Sequence, residues 1–171
     1  MNLPNKLTVI RMIMVPVVMV LMLLEMQIIA AVVFAVASIT DFLDGYLARK
    51  HNLVSSFGKI MDPLADKLLT FGALFCFIQL DVVSVWAPTI IIAREFFVTS
   101  MRVVAVSKGK VIAASWWGKV KTNVQIFALL FAMLLYTAYP LVACTLIWIS
   151  AIFTLASWIA YIFENISVFK D

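Results

Sequence analysis

The sequence predicts an all-α, polytopic integral membrane protein, with six transmembrane helices forming a single domain over residues 1–171. Hydrophobic residues make up 65% of the chain and charged residues 13%, where a soluble domain has about 45–50% and about 25%. Mean hydropathy is +1.10. The apolar residues gather into six runs, and the breaks between them leave no room for a separate soluble domain. Each run is near the roughly 20 residues that carry a helix across a bilayer.

The first run, Leu7 to Leu24, is long enough to span and has no small-residue cleavage site behind it, so it reads as a retained helix. The second, Gln27 to Arg49, and the third, Phe57 to Leu80, carry their charge where the one ends and the other begins. Asp62-Pro63 in the third admits two readings: an N-cap followed by the first helical residue, or a proline within a longer helix. Val85 to Val106 is the fourth, with Arg94 near its middle. The fifth, Trp116 to Tyr136, opens on paired tryptophans suited to a membrane interface, and Leu141 to Phe163 is the sixth. Cys76 and Cys144 stand alone in apolar runs and read as packing residues.

Orientation follows from the cations. All 13 lysines and arginines lie in, or lean toward, the N-terminal segment, the second and fourth breaks or the C-terminal tail. Basic loops stay cytoplasmic, which predicts both termini inside. The net charge of +4 then describes one face. That face suits anionic headgroups and phosphorylated substrates, and the sequence contains no nucleic-acid-binding module.

Charge inside the spans is harder to explain by topology. Burying a carboxylate near a bilayer costs at least a few kcal/mol unless a cation or water compensates it. Asp41 and Asp44 are three apart in the second helix, and Asp62 and Asp66 are four apart in the third, so each pair shares a helical face. The short connection brings both pairs toward the cytoplasmic surface. Four convergent carboxylates would repel one another unless cations sat among them. Oxygen donors favour Mg²⁺ or Mn²⁺, and a two-metal site of that kind stabilises the attacking and leaving oxygens of a displacement at phosphorus. Gly45 and Gly58 remove side chains where a backbone or nucleotide approaches, and Arg49 is placed to meet a phosphate at the aqueous boundary.

These residues resemble the CDP-alcohol phosphotransferase signature, filled without departure by Asp41, Asp44, Gly45, Ala48, Arg49, Gly58, Asp62 and Asp66. The resemblance implies a six-helix fold for the whole chain and a homodimer. It implies that Asp41, Asp44 and Asp62 are metal ligands, and that Asp66 completes the metal site and acts as general base. It also implies that Asp41, Asp44, Gly45, Ala48, Arg49 and Gly58 surround the CDP-lipid, whose β-phosphorus is attacked as CMP leaves. The flanks, Asn2 to Thr8 with Arg11, Asp62 to Lys67, and Arg94-Glu95-Phe96, are similar to bacterial members that join CDP-diacylglycerol to sn-glycerol 3-phosphate. That implies an enzyme of phospholipid synthesis in a bacterial plasma membrane, with its site facing the cytoplasm.

An acceptor bearing its own phosphate needs cations beside the metals, and Arg94, Arg102, Lys119 and Lys121 are candidates, as are Arg11 and Thr8 in the first helix. The plainer alternative pairs Arg94 with Glu95 or a signature aspartate as a structural ion pair. Inositol phosphate, serine or phosphatidylglycerol as acceptor would keep the same signature. A divalent-cation transporter would also use intramembrane carboxylates, but it gives no reason for Gly45, Ala48 and Arg49, and such sites lie nearer the midplane.

Overall fold

A computed structural model of the protein describes residues 3–50, 56–107, 109 and 115–165; side chains are described for these except 3–5, 41–50, 56–63 and 66. The described residues form six helices and no strand: α1 (Leu3–Leu23), α2 (Gln27–Lys50), α3 (Ser56–Gln79), α4 (Trp86–Ser107), α5 (Trp116–Leu135) and α6 (Pro140–Glu164). Each coincides with one apolar run, with ends set by local chemistry. α1 starts a turn before its apolar run, because Pro4 in the first turn lacks only an N–H that has no helical partner there. α5 starts at Trp116, where the Ser115 hydroxyl accepts from the Gly118 N–H at 3.2 Å. α6 opens on Pro140 for the same reason as α1. α3 runs through Pro63, so Asp62-Pro63 lies within the helix and not at its N-terminus.

Among the described residues, three helices contain stretches long and apolar enough to cross a membrane: Lys6–Leu23, Trp116–Leu135 and Pro140–Glu164. Among the residues whose side chains are described, α2 and α3 contribute the apolar stretches Gln27–Thr40 and Lys67–Gln79. α4 is interrupted by Arg94, Glu95 and Arg102.

α1 packs against α2 and α3, α5 against α6 and α2, and α4 against α6. A Cβ on Gly72 of α3 would stand 3.0 Å from Met19 Sδ and 3.2 Å from Val15 Cγ1, so the missing side chain is what lets α1 and α3 approach there. The buried core runs along these contacts through Met22, Phe34, Leu74, Phe77, Ile91, Leu129, Met133 and Ile147. Cys76 is buried in it and Cys144 half-buried, both as free thiols. α6 buries a more polar face, with Ser150, Thr154 and Ser157 inside; the Thr154 hydroxyl donates back to the Ser150 carbonyl at 2.8 Å.

Where α1, α3 and α5 finish, the chain reverses in tight turns. Glu25 (φ 57°) and Asp81 (φ 53°) adopt the left-handed conformation. The Glu25 and Met26 N–H groups bond to the Met22 and Leu21 carbonyls, and the Asp81 and Val82 N–H groups to Ile78 and Phe77. These are Schellman caps, which satisfy the last helical carbonyls. The two acids that mark these breaks thus end helices. The Tyr136 hydroxyl donates to the Met22 carbonyl at 3.0 Å, its ring meets Phe77 edge-on at 6.0 Å, and the Gln27 amide donates to Thr137. Three helix ends are tied together at that pole.

Candidate active site

The signature occupies the last part of α2 and the first half of α3, joined by residues 51–55. Asp41, Asp44, Gly45, Ala48 and Arg49 are on α2, and Gly58, Asp62 and Asp66 on α3. Their side-chain positions, and with them the expected convergence of the carboxylates, lie outside the described residues. Among the described residues there is no metal-binding group of His, Cys, Asp and Glu. The backbone sets both aspartate pairs about one helical turn apart on helices joined at that end, and the donor set is all oxygen, which fits Mg²⁺ or Mn²⁺.

Directly beyond Asp66 the side chains are described, and they form a polar cluster centred on Glu95. The Arg94 guanidinium donates through Nη1 to Glu95 Oε1 at 2.9 Å and through Nη2 to Ser157 Oγ at 2.9 Å. Lys121 Nζ donates to the same Glu95 oxygen at 2.5 Å. Lys67 Nζ lies 4.0 Å from Glu95 Oε2 and donates to the Thr99 hydroxyl. One carboxylate therefore gathers cations from α3, α4 and α5, while Arg94 extends the network to α6. Arg94 is only 6% exposed and Lys121 3%. Charges so buried are tolerable only when paired and hydrogen-bonded, as these are.

Of the cations proposed for an acceptor phosphate, the structure brings Arg94 and Lys121 together, through Glu95. Arg102 and Lys119 are exposed. Eight residues separate Arg102 from Arg94, which on an ideal helix leaves them about 80° apart in rotation, enough to part a buried side chain from an exposed one. Arg11 and Thr8 are fully buried in α1, and both are engaged by neighbouring groups.

Between α3, α4 and α5 a cavity of about 30 Å³ is lined by Lys67, Thr70, Glu95, Lys121, Thr122 and Gln125, with Phe71 and Ile126. Gln125 is 5% exposed, and its Oε1 has no hydrogen-bond partner among the described residues. Sequence reasoning assigned no site role to Lys67, Thr99, Gln125 or Ser157, and considered Glu95 only as a partner for Arg94. Gln125 did leave a signal: it is the last polar residue of α5, four positions beyond Lys121 and at the start of the apolar run that follows.

Signature-bearing helices, a buried charge network beside them and an all-helical membrane architecture define a class. The chain belongs to the CDP-alcohol phosphatidyltransferase family, whose sequence profile matches residues 1–156. Among its relatives it is 40% identical to the CDP-diacylglycerol–glycerol-3-phosphate 3-phosphatidyltransferase of Bacillus subtilis, over 99% of this chain and 97% of that protein. It is 37% identical to the protein of the same name from Rickettsia typhi, over 94% of each. The Haemophilus influenzae protein of that name is 36% identical, over 94% of this chain and 91% of its own length.

Proposed function

We propose that this enzyme transfers the phosphatidyl group of CDP-diacylglycerol to sn-glycerol 3-phosphate, giving phosphatidylglycerophosphate and CMP. The observation that carries the proposal is the unbroken signature from Asp41 to Asp66 within a chain that aligns nearly end to end with relatives bearing that activity in their names. All six helices span a bacterial plasma membrane, both termini and the site face the cytoplasm, and the protein works as a homodimer.

Asp41, Asp44, Asp62 and Asp66 hold Mg²⁺ or Mn²⁺. Bound there, the metal ions neutralise the charge of the diphosphate and of the two oxygens that exchange at phosphorus. Arg49, with the open backbone at Gly45, Ala48 and Gly58, receives the CDP moiety. Asp66 takes the proton from the primary hydroxyl of the acceptor, whose oxygen then bonds to the β-phosphorus as the bond to the CMP oxygen breaks. Arg94 and Lys121 bind the acceptor's phosphate, with Arg11 and Thr8 contributing from α1. Glu95 supports the phosphate site by holding Arg94 and Lys121 side by side in one geometry. The exposed Arg102 and Lys119 draw the anionic acceptor toward the site.

The experiment is CMP release by the purified, lipid-reconstituted protein. Release is expected only with CDP-diacylglycerol, glycerol 3-phosphate and Mg²⁺ or Mn²⁺ together, and is lost on chelation. Competition with inositol phosphate, serine and phosphatidylglycerol tests the acceptor, and preferential use of any of these overturns the assignment.

A further inference from the structure

We infer that Gln125 determines acceptor specificity by hydrogen bonding, through its buried amide, to the secondary hydroxyl of the acceptor alcohol. The inference rests on the acceptor assigned above and adds to it a residue that reads a second group of the same molecule.

Buried polar atoms in proteins almost always have partners. Gln125 Oε1 has none among the described residues, although the side chain is all but inaccessible. Gln125 lines the cavity of about 30 Å³, a volume suited to a hydroxyl or a water. The group that fits is small, neutral and able to hydrogen-bond. A hydroxyl both donates and accepts, so either orientation of the amide serves it.

The placement of the cavity favours the acceptor. Gln125 stands one turn beyond Lys121 on α5, and both line the cavity. Across it, Thr70 stands one turn beyond Asp66 on α3. The niche is therefore flanked by a cation assigned to the acceptor's phosphate and by the helix that carries the proposed base. An acceptor with a phosphate at one end and a reacting hydroxyl at the other has its secondary hydroxyl between them. A site built to pair with a hydroxyl discriminates strongly against an analogue lacking it, because the protein group is then left unpaired.

The test uses the full-length, lipid-reconstituted protein with CDP-diacylglycerol and either glycerol 3-phosphate or 3-hydroxypropyl phosphate, which keeps the phosphate and a primary hydroxyl but lacks the secondary one. Wild type should favour glycerol 3-phosphate in kcat/KM by about tenfold or more. Gln125→Leu should lower kcat/KM for glycerol 3-phosphate by about tenfold, leave the analogue within about twofold, and so abolish the preference. Gln125→Met, close in length and volume, carries the test if the leucine variant does not fold.

Equal losses with both alcohols would mean that Gln125 packs the helix or holds a resident water, and would overturn the inference. So would an unchanged preference, or a wild type that does not discriminate. In each of these cases an active wild type leaves the transferase assignment standing. A wild type that turns over neither alcohol sinks both.

Discussion

At the pole where α1, α3 and α5 finish, Phe77, Tyr136 and Met22 meet, the Tyr136 hydroxyl donates to the Met22 carbonyl, and the last carbonyls of α1 and α3 are satisfied by caps. Toward the signature, α3, α4 and α5 hold the buried Arg94 and Lys121 with the half-buried Lys67 and Glu95, and the Gln125 carbonyl has no partner among the described residues. The first arrangement minimises free energy by satisfying itself. The second holds charge out of water, which costs stability unless pairing compensates it, and leaves hydrogen-bonding capacity toward a cavity. Burial at one pole stabilises the fold, and at the other it prepares a binding surface. Substitutions at the two poles should therefore separate stability from activity.

The largest expected effect is at Asp66. Asp66→Asn should lower kcat by about 10²–10⁴, the range of a lost general base, with melting temperature in detergent little changed. Near-normal turnover would remove Asp66 from the base role. At the opposite pole Phe77→Ala should cost about 3–5 kcal/mol in unfolding free energy while the folded fraction keeps its kcat/KM. A comparable loss of kcat/KM per folded molecule would break the division between poles.

Glu95 tests whether the polar cluster combines both roles. Glu95→Ala leaves Arg94 and Lys121 without their shared carboxylate and should destabilise by about 3 kcal/mol. It should also raise KM for glycerol 3-phosphate at least about tenfold while leaving KM for CDP-diacylglycerol within about twofold. Glu95→Gln, which keeps an accepting oxygen, should recover part of both. A uniform change in both KM values would make Glu95 a purely structural tie.

Two smaller effects sharpen the contrast. Tyr136→Phe removes the bond to the Met22 carbonyl and should cost about 1 kcal/mol, read from melting temperature, with both kinetic constants unchanged. Asp81→Gly should stabilise by under about 1 kcal/mol, because glycine adopts the left-handed conformation without the steric cost a Cβ carries.

The sequence by itself determined the helices and the family. Hydropathy is a property of consecutive residues, and each of the six apolar runs became one helix with its ends within a few residues of the expected positions. The signature was legible for the same reason, since its spacing lies along two adjacent helices. Only the tertiary structure decided which cations share a carboxylate. Glu95 meets Lys121 across 26 positions of chain and Arg94 meets Ser157 across 63, and no local periodicity encodes such pairings. They depend on the rotation and depth at which α3, α4, α5 and α6 pack. The same packing buries Arg94, leaves Arg102 exposed, and makes Gln125 part of the wall of a cavity.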